Sequence, residues 1–216
     1  MDQKLLFLIN REWTSPALDK FMALLSSFDA WIPPIIVLIA LLLWRGGIRA
    51  RAFVLSAAMI AGINDGLIAR TLKHIVDRPR PHQAINDVRQ VDLAKATPRL
   101  LALGQPAKIK YSRGAGLEDV EGRSFPSAHT TNMIAVALVT ACFYRRWGWL
   151  AFIPALLVGY SRIYTGSHWP SDIVTSIFLS LGSTLLLLCV LEWLWRKHGA
   201  KLLPAIHHQH PSLLAA

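Results

Sequence analysis

Cysteine and acidic residues are both scarce in this chain. Two cysteines occur among 216 residues, Cys142 and Cys189, and each lies deep in an apolar run, where we expect a small core residue and no disulfide framework. Only 13 residues are acidic against 23 lysines and arginines, and 17% of the chain is charged while 53% is hydrophobic. This balance argues against a soluble protein and is typical of a membrane protein.

The sequence also shows little sign of a cleavable signal peptide. The apolar stretch 5–9 is too short for one and is not followed by a small-residue cleavage site, so we expect a mature N-terminus. The net charge of +10 comes from lysines and arginines at the ends of apolar segments. That placement suits membrane orientation and argues against nucleic acid as a partner.

Long apolar runs make up most of the remaining sequence. A helix needs roughly 17–25 apolar residues to cross a bilayer, and we predict spans over 31–44, 52–76, 126–146, 147–164 and 170–195. The runs near 127–144 and 173–195 lack the polar face of a soluble helix. The predicted fold is therefore all-α, a polytopic membrane helical bundle with about five transmembrane helices.

The charged segments between and beside these runs define the expected domain organisation. Residues 1–29 mix apolar and charged side chains and are predicted to form an amphipathic segment at the membrane interface. Residues 30–197 form the membrane domain, with a long polar loop over 82–124, and 198–216 are predicted to be a flexible tail. The cations at the ends of the short connections are predicted to lie on the cytoplasmic side: Arg45, Arg49, Arg51, Arg145, Arg146, Arg196, Lys197 and Lys201.

Three motifs are predicted to meet on the opposite side. The second span ends in two cations, Lys73 and Arg80, which taken alone are explained as well by snorkelling at the end of a span. The third span opens with Ser127 and His129 in its first turn, where free amides favour a phosphate. Ser127 as an ordinary helix N-cap is the competing interpretation.

The third motif joins the fourth span to the fifth. It contains Ser161 and Arg162, then His168, and then Asp172 in the first turn of the last helix. An aspartate four residues after a histidine can accept the Nδ1 proton and leave Nε2 free for attack. A capping aspartate beside a surface histidine explains this spacing equally well, but it does not explain the adjacent Ser161 and Arg162.

Taken in order, Lys-x6-Arg-Pro, Pro-Ser-x-His and Ser-Arg-x5-His-x3-Asp resemble the three-part pattern of the type 2 phosphatidic acid phosphatase family. The resemblance covers residues 50–195, and Ala128 stands where many members have glycine. It implies a phosphatase core shared with vanadium haloperoxidases and glucose-6-phosphatase. It also implies His168 as the nucleophile that forms a phosphohistidine, Asp172 as its partner and His129 as the acid. The implied phosphate ligands are Lys73, Arg80, Arg162 and Ser127.

The resemblance further implies a lipid phosphatase. Because three fixed cations can take the role of magnesium and no carboxylate cluster is visible near the motifs, we predict activity without a metal or another cofactor. Undecaprenyl diphosphate is the first candidate substrate, followed by phosphatidylglycerol phosphate, phosphatidate and lipid A. Such substrates imply a bacterial inner membrane and a site on its periplasmic face. A non-catalytic transporter or scaffold and a halide-oxidising enzyme are the competing functions. The sequence is silent on oligomeric state, and a monomer is compatible with it.

Two further features have weaker interpretations. Asp65 lies inside the second predicted span, where a carboxylate faces a partner or a wet cavity, and we favour a structural role. His207, His208 and His210 resemble a metal-binding tract, but their position in the predicted cytoplasmic tail favours an inert surface.

Overall fold

The computed structural model of the protein describes residues 1–113 and 123–214 and confirms the predicted helical membrane fold. Two antiparallel strands, β1 and β2, interrupt the helices, and π-helical segments occur at Leu8–Glu12 and Asn64–Ala69. The elements are α1 (Asp2–Phe7), α2 (Pro16–Ser26), α3 (Phe28–Arg45), α4 (Ile48–Ile63), α5 (Arg70–Val76), α6 (Pro81–Ala84), β1 (Asn86–Asp92), β2 (Lys108–Arg113), α7 (Ala128–Phe143), α8 (Phe152–Tyr164), α9 (Pro170–Leu202) and α10 (Pro204–Gln209).

Three helical segments of the described chain are long and apolar enough to cross a membrane: Phe28–Arg45, Ile48–Ala84 and Pro170–Leu202. Helices α7 and α8 have 16 and 13 residues, fewer than the ~20 that span a hydrocarbon core. The protein is therefore an integral membrane protein, and the number of five spans stays a prediction.

The centre of the bundle is formed by α4, α7 and α9. Ile60, Val139 and Leu188 are almost fully buried where these helices meet. Asn64, also fully buried, donates from its amide to Thr184 Oγ1 at 3.2 Å and accepts from Ser183 Oγ at 2.8 Å. These bonds satisfy a polar group inside the membrane and connect the π-helical segment to α9.

A second layer covers one end of the bundle, and the sequence did not predict its strands. The described part of the 82–124 loop contains β1 and β2, which pair with Arg89 opposite Tyr111. Val88 and Val91 are buried in one core with Leu6 and Met22 of the N-terminal segment. The stretch 86–92 is short and charged, with a pairing irregularity after Asn86, so it gives no clear two-residue alternation.

The N-terminal segment packs into this layer through buried polar contacts. Asp19 is 4% exposed and accepts both 2.8 Å bonds from Arg89 and a 2.6 Å bond from the Tyr164 hydroxyl. Asn10 is fully buried and donates to the carbonyl oxygens of Arg89 and Tyr164. The Asp19 carboxylate is thus paired inside the protein and does not lie on an exposed polar face. Placement of residues 1–29 at the membrane surface stays a prediction.

The chain beyond residue 197, predicted as a tail, also has regular structure. Helix α9 continues to Leu202, and α10 folds back so that the His207 ring lies 5.5 Å from the Trp195 ring. The Trp195 indole donates to the His210 carbonyl oxygen at 2.8 Å. These contacts fix the segment against α9.

Candidate active site

The three motifs converge at the end of the bundle that the second layer covers. His129, in the first turn of α7, lies within electrostatic reach of Arg162, His168, Lys73 and Arg80. At the other end of α7, Arg49 donates to the Phe143 carbonyl oxygen. Helix α7 rises about 1.5 Å per residue and is 16 residues long, so about 24 Å separate its two ends. Both histidines therefore lie on one side of the bundle, opposite the arginine-rich end.

His168 lies in the turn between α8 and α9 and is 3% exposed. Its Nδ1 is 3.8 Å from Asp172 Oδ2, which is close enough for an ion pair but longer than a hydrogen bond. Among the described residues Nδ1 has no hydrogen-bond partner. The predicted His168–Asp172 hydrogen bond is therefore not formed in this structure, although such bonds are often long before substrate binds.

Asp172 is fully buried, and other donors occupy its oxygens. Oδ1 accepts from Arg78 at 2.6 Å, and Oδ2 accepts from the Ser124 hydroxyl and from the Trp169 amide at 3.1 Å. Neither Ser124 nor Arg78 is among the site residues predicted from the sequence, because the motif spacing selects Arg80. Ser124 lies three residues before Ser127, and this closeness to the second motif is the signal in the sequence that could have identified it.

The electrostatics of the site keep His168 neutral. Burial is the main cause that lowers the pKa of His168, to about 4, and the charges of Arg162 and Arg80 act in the same direction. Asp172 opposes them and favours the protonated ring. A neutral imidazole is the form that can attack phosphorus.

The cations have unused donors that suit an anion. In the described part of the chain, Arg80 Nε and Arg162 Nε are buried without a hydrogen-bond acceptor. Arg162 is held from one side, because its Nη1 donates to the Ser26 hydroxyl and carbonyl oxygens. Lys73 lies within electrostatic reach of Arg80. Buried donors without acceptors are rare in native proteins, and a bound phosphate would satisfy these.

Ser127 has the structural role that competed with phosphate binding. It is the N-cap of α7, is fully buried, and its hydroxyl oxygen accepts from the Thr130 hydroxyl at 3.0 Å and the Thr130 amide at 3.5 Å. Its own amide donates to Ser176 Oγ at 2.9 Å. Phosphate binding by Ser127 stays a prediction.

The turn that carries His168 depends on a glycine. Gly166 has a φ of +69°, and a Cβ there would lie 2.6 Å from the Arg89 carbonyl oxygen. The amides of Ser167 and His168 both donate to the Arg162 carbonyl oxygen, at 3.0 and 3.1 Å. Only a residue without Cβ allows this turn to pack under β1.

We expect Gly166→Ala to lower kcat by at least about tenfold, because relieving the clash shifts His168 relative to Arg162. Phosphate release by the purified variant measures this, with the thermal midpoint in detergent recorded beside it. Gly182→Ala is the matched control, since a Cβ at Gly182 on α9 meets nothing within 4 Å. Full activity of Gly166→Ala would show that the turn tolerates displacement.

An apolar cavity of about 470 Å³ opens beside His129. Its wall includes Phe28, Trp31, Met133 and Val158, and the Phe28 ring meets the His129 ring edge-on at 6.2 Å. A cavity of this kind next to a charged site accommodates a ligand with a charged head and a hydrocarbon tail.

Two polar residues interrupt the apolar wall, Asp65 and Asn132. Asn132 Oδ1 is buried and has no hydrogen-bond partner among the described residues. The Asp65 carboxylate acts electrostatically on Lys73. Asp65 thus lines the cavity, as in the wet-cavity alternative to the structural role that we favoured.

The helical bundle, with histidines and cations converging at one end, is the arrangement expected of a membrane phosphatase. Residues 49–196 match the family model of the PAP2 superfamily, and the chain belongs to that superfamily.

Similar proteins of known identity fall in the same class. The chain is 40% identical to undecaprenyl-diphosphatase BcrC of Bacillus subtilis over 58 residues, which are 27% of this chain and only 30% of that protein. It is 28% identical to the lipid A 4'-phosphatase of Porphyromonas gingivalis over 179 residues, covering 82% of this chain and 67% of that one. The crystal structure of Aquifex aeolicus LpxE superimposes with a TM-score of 0.57 at 22% identity, covering 87% and 94% of the two chains. That structural likeness shows a shared fold.

Proposed function

We propose that the protein is a membrane phosphatase that hydrolyses a prenyl diphosphate, with undecaprenyl diphosphate as the first candidate. The observation that carries the proposal is the cavity of about 470 Å³, because its apolar wall lies directly beside His129, which is predicted to act on the phosphate. Similarity to BcrC, which is named an undecaprenyl-diphosphatase, supports the same substrate class.

The proposed reaction has two displacements at phosphorus. His168 Nε2 attacks the terminal phosphorus, the bond to the bridging oxygen breaks, and Asp172 stabilises the positive charge on the ring. His129 donates a proton to the leaving oxygen. Water then attacks the phosphohistidine and gives a proton to the deprotonated His129, which releases inorganic phosphate, restores the neutral His168 ring and reprotonates His129.

Lys73, Arg80 and Arg162 are proposed to balance the charge of the phosphoryl oxygens during transfer. Magnesium has this role in many other phosphoryl-transfer sites. Three fixed cations would also repel a divalent cation, so we propose metal-independent activity that a chelator leaves unchanged.

The size and polarity of the cavity favour one hydrocarbon chain over several. A cavity of about 470 Å³ is of the size that holds one small-molecule-sized segment of a ligand. In a prenyl diphosphate the hydrocarbon begins at the ester oxygen itself, where this wall is apolar. A glycerol or a sugar would occupy the same place in the other candidate substrates.

One observation favours a second candidate. Asn132 Oδ1 and the Asp65 carboxylate are acceptors in the cavity wall, and a hydroxyl group could donate to either. Phosphatidylglycerol phosphate and lipid A carry such hydroxyls. Similarity to the Porphyromonas lipid A 4'-phosphatase supports this alternative.

The proposed location is a bacterial inner membrane with the site on the periplasmic face. The positive-inside rule assigns the arginine-rich end of the bundle to the cytoplasm. That end contains Arg49 of α4, which contacts the last residue of α7, and Arg145 and Arg146 just beyond α7. The site lies at the other end of the same helix.

We expect the purified protein, in the presence of a chelator, to hydrolyse undecaprenyl diphosphate with a higher kcat/KM than phosphatidate, phosphatidylglycerol phosphate or lipid A. Val158→Phe narrows the cavity and should lower kcat/KM for undecaprenyl diphosphate by about 10–100-fold, while isopentenyl diphosphate is less affected because its chain is short. Phosphate release measures both.

Ile153→Phe is the matched control, because Ile153 lies on the same helix with 58% of its surface exposed. Faster hydrolysis of lipid A would overturn the prenyl assignment but leave a lipid phosphatase. No phosphate release from any of the four lipids would overturn both.

A further inference from the structure

Arg78 connects the buried carboxylate of the site to the start of the chain. Its Nη1 donates to Asp172 Oδ1 at 2.6 Å and to Ser171 Oγ at 2.7 Å, and its Nη2 donates to Asp2 Oδ2 at 2.7 Å. The guanidinium also stacks over the Trp169 ring at 5.1 Å. Arg78 is therefore fixed on several sides and has little freedom to turn toward a substrate.

Asp2 is held as firmly as Arg78. Its Oδ1 accepts from the Ser171 amide at 2.9 Å, and its Oδ2 accepts from the Ser171 hydroxyl at 2.6 Å. Burial acts to raise the pKa of Asp2, but the bonds from Ser171 and Arg78 outweigh it and lower that pKa overall. Asp2 is therefore a carboxylate with a defined position and a stable negative charge.

Four residues form one network, which we call the Asp2–Asp172 network: Asp2, Arg78, Ser171 and Asp172. The backbone closes it on the other side, because the Ser124 amide donates to the Arg78 carbonyl oxygen at 2.8 Å while the Ser124 hydroxyl donates to Asp172. Two carboxylates share one guanidinium, so the network carries a net negative charge. That charge lies beside Asp172, 3.8 Å from His168 Nδ1.

This charge arrangement matters when His168 becomes positive. A lone guanidinium on Asp172 would cancel the carboxylate charge and weaken its attraction for an imidazolium ring. Because Asp2 shares the same guanidinium, a negative charge is left for His168. Arg78 in turn fixes Asp172 so that Oδ2 is the oxygen nearer to the ring.

We propose that Asp2 and Arg78 are positioning residues for the phosphatase reaction, with Arg78 orienting Asp172 and Asp2 preserving the charge that Asp172 presents to His168. The inference rests on the proposed function. It assigns a role to Asp2, which lies 170 positions before Asp172, and to Arg78, which occupies an unspecified position of the first motif.

The proposal predicts that Asp2→Asn and Arg78→Gln shift the acid limb of the pH profile of kcat/KM in opposite directions. Asp2→Asn keeps the shape of the side chain and removes a negative charge. The acid limb of the pH profile of kcat/KM should therefore move to lower pH. We expect kcat to fall about tenfold and KM to stay within twofold, as for loss of a group that orients a histidine. Arg78→Gln removes a positive charge, so the limb should move to higher pH, with kcat reduced about 100-fold. The other charged groups acting on His168 are unchanged in both variants: Arg162, Arg80 and His129.

Arg78→Lys should recover part of the activity lost in Arg78→Gln, because an ammonium group retains the charge but not the fork of donors. Asp87→Asn is the matched control, since it removes the partner of Arg11 in an ion pair of the outer layer with an N–O distance of 3.7 Å. Thermal midpoints in detergent identify any variant that fails to fold.

Shifts in the same direction for Asp2→Asn and Arg78→Gln, or equal losses with no shift, would overturn the charge role and leave a structural contact. Wild-type activity of Asp2→Asn, measured on a lipid that the wild type hydrolyses, would overturn the role of Asp2 alone. A wild-type protein without phosphatase activity would overturn the proposed function itself, so the two failures are distinguishable.

Discussion

Replacing His168 with alanine is expected to lower lipid phosphate hydrolysis by at least about 1000-fold, the scale seen when a catalytic nucleophile is removed. His168 is 3% exposed, its ring is kept neutral by its surroundings, and its Nδ1 lies 3.8 Å from Asp172 Oδ2. Without it no covalent phosphoenzyme can form. Phosphate release by the purified variant, with undecaprenyl diphosphate as substrate, measures the loss.

Trapping of the intermediate gives a second readout for the same variant. Wild-type protein quenched during turnover of labelled substrate should carry phosphate that is stable in alkali and lost in acid, as expected for a phosphohistidine, whereas His168→Ala should carry none. His208→Ala is the matched control, because that histidine lies exposed on α10. Normal turnover by His168→Ala would make the assignment of the nucleophile wrong.

The pH dependence provides a further check on the same residue. Because the pKa of His168 is lowered to about 4, the nucleophile stays neutral down to about pH 5. After correction for ionisation of the substrate, the acid limb of kcat/KM should therefore lie near pH 4 and not near 6.5, the ordinary histidine value. A limb near 6.5 would show that His168 is not buried during turnover.

The membrane helices and the convergence of the site were predictable because both depend on local patterns. Apolar runs fix the helices through the cost of unpaired backbone groups in hydrocarbon. Once the helices and the cation-rich ends were assigned, Lys73, His129 and Arg162 could only fall at the same end. Their meeting follows from topology and required no knowledge of side-chain packing.

The second layer could not be predicted, because its stability comes from contacts between distant segments. Asp19 and Arg89 look like ordinary surface charges in the sequence, yet they form a buried pair 70 residues apart. The strands β1 and β2 are short, and their side chains find a core only against the N-terminal segment. Local pattern gives no signal for such pairings.

The separate roles of Arg78 and Arg80, which are two residues apart, also depend on contacts that the local pattern does not give. Both arginines precede a proline at the end of α5, and motif spacing selected Arg80. Only the structure reveals that Arg78 turns toward Asp172, while Arg80 Nε is buried and has no acceptor within residues 1–113 and 123–214. Spacing selects the arginine that is predicted to bind the substrate, whereas the arginine that holds Asp172 is found only from geometry.

Replacing Arg162 with lysine is expected to lower kcat/KM by about 100–1000-fold, the scale for losing one fixed donor to a developing charge. The Ser26 hydroxyl and carbonyl oxygens hold Nη1, while Nε is buried and unpaired within the described part of the chain, so the guanidinium is a prepared fork for two phosphoryl oxygens. A lysine has one nitrogen and cannot reach both Ser26 and the phosphate. Phosphate release and inhibition by vanadate, a phosphate analogue, measure the loss, and both should weaken together.

Arg99→Lys is the matched control for this prediction, because Arg99 also donates to a backbone carbonyl, that of Ala94 at 3.2 Å, but lies in the outer layer. Ser26→Ala tests the anchoring of the Arg162 guanidinium separately from its binding of phosphate. This variant keeps the guanidinium, removes one of its anchors, and should lower kcat/KM by only several-fold. Activity of Arg162→Lys within twofold of wild type would show that this guanidinium does not bind the phosphoryl group. A large loss of activity with unchanged vanadate inhibition would assign Arg162 to the leaving-group side of the site, and the orientation of the substrate would then have to be reversed.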